Sequence, residues 1–247
     1  MLKLQDVSFG VEGEHVKKDI LQNINLEIED KKFIVLTGPN GGGKSSLAKV
    51  IAGIERPTSG RLFLDDTDIT DLSVTERARL GISFAFQQPV RFKGITVKDL
   101  ILLASGNPKL STVGACEYLA EVGLCARDYI NREVDGSLSG GELKRIEIAT
   151  VLARDTRISV FDEPEAGIDL WSFHNLIRVF EKMHRNKERS IVIISHQERI
   201  LGIADEIVVI ADGTVKKKGS REEILPELLE AAGGGCRYYR DMPQEEA

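Results

Sequence analysis

The sequence predicts an α/β fold: a largely parallel sheet with an all-helical insertion. Three observations carry that prediction. Strand-like and helical runs alternate along most of the 247 residues, as a parallel sheet with crossover helices requires. Two runs, "FIVL" at 33–36 and "IVII" at 191–194, are continuously apolar, which is how strands buried on both faces read. Between about residues 88 and 150 the strand signals give way to helical ones.

Each element has a local cause. The first thirty residues read as antiparallel strands, because "NINLEIED" alternates with Ile24, Leu26 and Ile28 on one face. The apolar run Phe33–Leu36 is a buried strand, and "KSSLAKVIAG" after it is a helix closed by Gly53. "SGRLFLDD" is another strand. "TVKDLILLA" and "TVGACEYLAEVGL" are helical, and Glu142–Ala153 continues that character. Then come a strand in "RISVFDE", a helix in "LWSFHNLIRVFEKMH", a strand in "SIVIISH" and a hairpin turning at Asp212-Gly213. A helix in "SREEILPELLEAA" leads to a loose tail from about residue 233, which holds Tyr238 and Tyr239. The expected organisation is one domain over 1–247, with a core of 1–87 and 151–232, a helical subdomain of about 88–150 and a tail of 233–247.

Composition narrows the function classes. A net charge of −6 argues against a nucleic-acid partner or a broad anionic-membrane footprint. "MLKLQDVSFG" lacks the basic-then-apolar pattern of a signal peptide. No apolar run approaches the roughly 20 residues of a membrane span, so no direct membrane insertion is expected. Cys116, Cys125 and Cys236 form no ligand pattern, and an odd count without a secretion signal suggests reduced thiols in a cytoplasm. Cys116 and Cys125 read as small core or interface hydrophobes.

Two stretches carry chemistry. "GPNGGGKSS", residues 38–46, fits G-x-x-x-x-G-K-[ST] between a buried strand and a helix, the context that phosphate-loop pattern needs. Gly38, Pro39, Asn40, Gly41, Gly42 and Gly43 can turn their backbone N–H groups towards an anion. Lys44 suits the β- and γ-phosphates, Ser45 offers a hydroxyl to Mg²⁺, and Ser46 completes the motif. The site is therefore expected to take ATP with Mg²⁺. "RISVFDE" delivers Asp162, a Mg²⁺ candidate, to the carboxyl end of a strand, where sheets of this class bind ligands. Glu163 is the candidate base for the attacking water. His196, just past a buried strand, is a candidate γ-phosphate sensor or transition-state donor. Gln87 lies where the sheet hands over to the insertion and could touch both γ-phosphate and Mg²⁺. "LSGGE" places Ser139, Gly140 and Gly141 at the mouth of a helix. A plain N-cap explains the serine; a phosphate approaching that mouth would explain the glycines as well.

The phosphate loop, Gln87, "LSGGE", "FDEP", "AGID" and His196 together resemble the ATP-binding cassette (ABC) ATPases over nearly the whole chain. The resemblance implies a phosphate-loop ATPase with a mixed sheet core, an antiparallel β subdomain and an inserted helical subdomain. It also implies that two subunits dimerise head to tail on ATP. Ser139, Gly140 and Gly141 of one would then cap the nucleotide of the other, with Asp169 coupling the two sites. Adenine would stack near Phe9, Val11 or Val16. "FAFQQPV", "SGGELKRIEI" and "ISHQERIL" further resemble the SufC-type ATPases of iron–sulfur cluster assembly, although Gln88 stands where that group has tyrosine and Pro164-Glu165 interrupt its D-E-x-D pattern. That likeness implies a SufB- or SufD-like scaffold gripped near Gln87–Thr96, with Lys144 either pairing with Glu163 in the lone subunit or standing as a solvated helix lysine. The alternative is an importer-type transporter ATPase acting on a membrane permease, with which "ITVKDLILLASG" is compatible.

Overall fold

The structure, a computed structural model, describes residues 1–12, 17–186 and 189–233. It opens with strands β1 (Leu2–Glu12) and β2 (Lys17–Ile28), followed by β3 (Phe33–Thr37) and helix α1 (Lys44–Ala52). Strands β4 (Ser59–Leu64) and β5 (Thr67–Asp68), helix α2 (Val74–Arg79) and strand β6 (Ile82–Ala85) come next. The inserted region holds β7 (Phe92–Thr96), α3 (Val97–Ser105), α4 (Thr112–Glu121), α5 (Ala126–Tyr129) and β8 (Glu133–Val134). Helix α6 (Gly140–Arg154) then runs unbroken into the turn before β9 (Ile158–Asp162). The chain ends with α7 (Leu170–Asn186), β10 (Ser190–Ile194), α8 (Glu198–Leu201), β11 (Glu206–Ala211), β12 (Thr214–Ser220) and α9 (Arg221–Gly233).

The central sheet has the order β12-β11-β3-β10-β9-β6. Its pairs are parallel except β11–β12, so it is mixed. A separate antiparallel sheet, β2-β1-β4-β5, flanks it. The mixed core, antiparallel sheet and inserted helices are the fold class that the sequence predicts.

Two cores explain the sequence pattern. Phe33 and Val35 of β3 enter the core under the helices, while Ile34 and Leu36 enter the one shared with α1 and the antiparallel sheet. On β10, Ile191 and Ile193 divide from Val192 and Ile194 in the same way. Alternate side chains of a strand point to opposite faces, so a strand covered on both sides must be apolar throughout. Helix α7 closes the first core by laying Phe180 edge-on against Phe33 and Phe161, at centroid distances of 6.3 and 5.1 Å.

The sequence reading misses α2, the edge strand β6, the β7–β8 pair and the short elements β5, α5 and α8. Helix α2 carries a capping box between Ser73 and Glu76. Its Arg77 is buried and donates to the carbonyls of Val50 and Ile51 at the end of α1, and to those of Thr70 and Leu72. Helix carbonyls without intrahelical partners need such donors, and a cation suits the negative end of the helix. Cys116 packs against the first core as expected, but Cys125 is exposed. Val16, Cys236, Tyr238 and Tyr239 lie outside the described residues.

Candidate functional site

The phosphate loop is built by close approach. Gly38 has φ +131, and a Cβ there would sit 2.0 Å from the Ile210 carbonyl oxygen. Gly43, the N-cap of α1, has φ +103 and would drive a Cβ to 2.8 Å from Leu21. No side chain caps α1, which leaves its first N–H groups for an anion. Lys44 is buried, and its ammonium donates to the Gly38 and Pro39 carbonyls at 2.8 Å each. Burial lowers its pKa, against the opposing pull of Glu163 and Asp162. The loop, Gln87 and Glu163 line one cavity of about 700 Å³. Lys18, Asp19, Ile20, Gln22, Asp212 and Gly213 complete its wall; the sequence marks Asp212 and Gly213 only as a hairpin turn and gives the other four, which come from β2, no sign of a site role.

Two of the candidate Mg²⁺ residues meet beside the cavity. Ser45 Oγ donates to Asp162 Oδ1 at 3.0 Å, two hard oxygens of the kind Mg²⁺ accepts. The described residues contain no group of three His, Cys, Asp or Glu able to hold a metal. An ion at this pair would complete its shell with water and phosphate oxygens, which is how Mg²⁺ usually binds. The residues therefore fit Mg²⁺. Burial raises the Asp162 pKa, the Ser45 hydrogen bond lowers it, and Glu163 raises it further.

Glu163 follows at φ +44, a left-handed backbone that is strained for a residue with a side chain. Its Oε2 accepts the Gln87 side-chain amide at 2.6 Å. His196 is exposed, and its pKa is lowered first by partial burial and then by Lys44, with Glu163 opposing. The neighbouring Ser195 is buried and donates to Glu165 at 2.5 Å. This ties the strand before His196 to the segment after Glu163.

The signature residues lie apart from that cavity. Ser139 is an N-cap: its Oγ accepts the Glu142 N–H, and Glu142 returns the bond to the Ser139 N–H. The plain-cap reading thus holds, but it leaves the glycines unexplained. A Cβ on Gly140 would meet nothing within 4 Å, and one on Gly141 would make an ordinary 3.4 Å contact with the Gly167 carbonyl. Glycine in a helix costs up to about 1 kcal/mol against alanine, and nothing among the described residues requires that cost. Asp169 caps α7, accepting from the Ser172 N–H at 3.0 Å and the Ser172 hydroxyl at 2.6 Å.

Two expectations are corrected. Lys144 neither pairs with Glu163 nor stands in solvent: it is fully buried, 3.3 Å from Glu147 and hydrogen-bonded to the Phe86 carbonyl. Gln87 takes the place beside Glu163 instead. Phe9 is 8% exposed and belongs to the second core, so it offers adenine no open face, whereas Val11 is exposed.

A glycine cradle feeding α1, a buried lysine and paired carboxylates at the ends of parallel strands define a phosphate-loop nucleoside triphosphatase. Comparison with known proteins narrows this. Residues 21–166 match the family model described as ABC transporter. An uncharacterized ABC transporter ATP-binding protein of Methanocaldococcus jannaschii is 37% identical over 243 residues, covering 94% of this chain and 96% of its own. The energy-coupling factor transporter ATP-binding protein EcfA2 of Clostridium acetobutylicum is 31% identical, over 94% of this chain and 84% of its own. A dimeric ATP-binding cassette in a post-hydrolysis state with ADP and Pi superposes with a TM-score of 0.80 at 26% identity, covering 90% of this chain and 99% of that one. The chain belongs to the ABC transporter family of ATP-binding cassettes, and it is an ATPase. Both named relatives are described as transporter proteins, not as iron–sulfur assembly factors.

Proposed function

We propose that the chain is the ATP-hydrolysing subunit of a membrane transporter, working as a head-to-tail pair against a permease. The single observation that carries this reading is the near full-length match to transporter ATP-binding proteins. The surface beside Gln87 supports it. Phe84, Phe86, Val90, Phe92, Leu100 and Val134 line an apolar groove at the sheet edge, with Val90 47% exposed. Exposed apolar area of this kind suits a partner. No helix among the described residues is long and apolar enough to cross a membrane.

In this reading residues 1–247 act as one cassette. Residues 1–87 and 151–232 form the core, about 88–150 form the helical subdomain with α6 spanning the junction, and 233–247 form the tail, of which only Gly233 is described. The backbone of Gly38–Gly43, with Lys44, Ser45 and Ser46, holds the triphosphate. Ser45, Asp162 and Gln87 would hold Mg²⁺, which supplies charge neutralisation across the phosphates. Glu163 accepts the proton of the water that attacks the γ-phosphorus as the bond to the β–γ bridging oxygen breaks. His196 donates to the γ-phosphate. Ser139, Gly140 and Gly141 present a helix N-terminus to the nucleotide of the other subunit, and Asp169 lies on the segment joining the two sites.

A second reading, a SufB- or SufD-like scaffold in place of the permease, keeps one local observation. The "SGGELKRIEI" helix that suggested it carries Lys144 and Glu147, which form a buried pair against the glutamine segment. Affinity purification of the tagged full chain separates the two readings. The expected partner is recovered only with detergent, carries several apolar spans and stimulates hydrolysis. A detergent-free soluble scaffold that stimulates hydrolysis would overturn the transporter reading.

A further inference from the structure

We infer that Lys144 and Glu147 of α6 are positioning residues that set Gln87 against Glu163, linking the mouth of the signature helix to the catalytic base of the same chain. The proposal rests on the functional reading above for what Ser139–Gly141 and Glu163 do.

The geometry is a clamp on one residue. Glu147 Oε1 accepts the Phe86 N–H at 2.8 Å, while the Lys144 ammonium donates to the Phe86 carbonyl. The same ammonium reaches the Gln87 carbonyl at 3.4 Å and Glu147 Oε2 at 3.3 Å. Two backbone carbonyls accept from the ammonium, and Glu147 Oε2 faces it as an ion pair without a hydrogen bond. Ala85 is the last residue of β6 paired with β9, so Phe86 leaves the ladder and its polar backbone must find other partners. Neutral groups could serve. The chain instead buries a lysine completely and leaves the Glu147 side chain only 14% exposed, an arrangement with a heavy desolvation penalty. Fixing Phe86 fixes its neighbour Gln87, whose side chain holds the Glu163 carboxylate.

Lys144 lies about 6 Å along the helix axis from Gly140 at the usual rise per residue. A helix moves as a rigid element, so a shift at its mouth on engaging a partner's nucleotide carries Phe86 and Gln87 with it. The order is thus partner phosphate, α6, Lys144–Glu147, Gln87, Glu163.

Steady-state hydrolysis by the full chain tests the clamp, using Glu147→Gln, Glu147→Asp and Gln87→Ala alone and combined. Melting curves establish that each variant folds. Should Glu147→Gln not fold, Glu147→Asp decides, because it keeps the charge beside Lys144 and withdraws only the reach to Phe86. Both Glu147 variants are expected to lower kcat by about 10- to 100-fold, the scale of a misplaced catalytic group, with KM for ATP nearly unchanged. In the Gln87→Ala background they should cause no further loss, since residues acting as one unit are not additive. Losses that multiply with Gln87→Ala, a change in KM alone, or unaltered kcat in a folded variant overturn the clamp. If Gln87→Ala and Glu163→Gln themselves leave turnover intact, the site reading fails and takes the clamp with it.

Discussion

Glu163 joins strain, charge and chemistry at one position. Its left-handed backbone follows the buried β9, and its carboxylate meets Gln87 at the cavity lined by the phosphate loop. Glu163→Gln keeps the side chain's shape and its acceptor oxygen but removes the base. It should bind ATP normally while turnover falls by roughly 10²- to 10⁴-fold, the contribution of a general base; equal turnover in a single-turnover assay would exonerate the residue. His196 gives a prediction about pH. Burial and Lys44 both disfavour its charged form, so in the nucleotide-free chain its imidazole should titrate below the ordinary 6.5. A depressed histidine favours the folded chain above its unfolded pKa, and that contribution is lost as pH falls from there through the lower folded-state pKa. An NMR titration of the ring protons giving 6.5 or higher would contradict the predicted depression.

At the scale of the element, α6 separates what a helix needs from what a binding site needs. Its capping box satisfies the N–H groups of Ser139 and Glu142, so these two residues have a structural role in the lone chain. Gly140 has no such role, because a methyl group there meets open space. Gly140→Ala should therefore leave thermal stability unchanged or raise it, by up to about 1 kcal/mol from helix propensity, while hydrolysis by the ATP-loaded pair falls. A loss of stability, or undiminished turnover, would mean that the bare helix mouth faces no ligand. Helix α1 shows the opposite arrangement: its N-cap glycine is forced by the packing of Leu21 and the Ile20 carbonyl, and its far end is held by Arg77. The phosphate cradle is thus held from both ends.

At the scale of the molecule, the two halves of the proposed site do not meet within one chain. The cavity that contains the phosphate loop and Glu163 includes none of Ser139, Gly140 or Gly141. A second subunit would supply them. Blocking hydrolysis should trap that assembly, so Glu163→Gln with ATP and Mg²⁺ should sediment as a dimer and with ADP as a monomer. A variant that remains monomeric at saturating ATP would contradict the shared-site arrangement.

Much of the molecule is legible in order along the chain. The apolar runs of β3 and β10 announce strands buried on both sides, and G-x-x-x-x-G-K-S between strand and helix announces the cradle, because period and motif are local properties. Ser45, Asp162, Gln87 and Glu163 can be named for the same reason. The short edge strand β6 escapes because four residues carry little periodicity, and Arg77 because its four carbonyl partners lie in two other segments, the end of α1 and the turn before α2. Lys144 misleads because its burial is set by the packing of α6 against the end of β6. Sequence by itself determined the fold class and the kind of chemistry, since both depend on local pattern and residue type. Tertiary structure alone decided which side chain holds Glu163 and which walls close the cavity, because those depend on contacts between residues far apart in the chain.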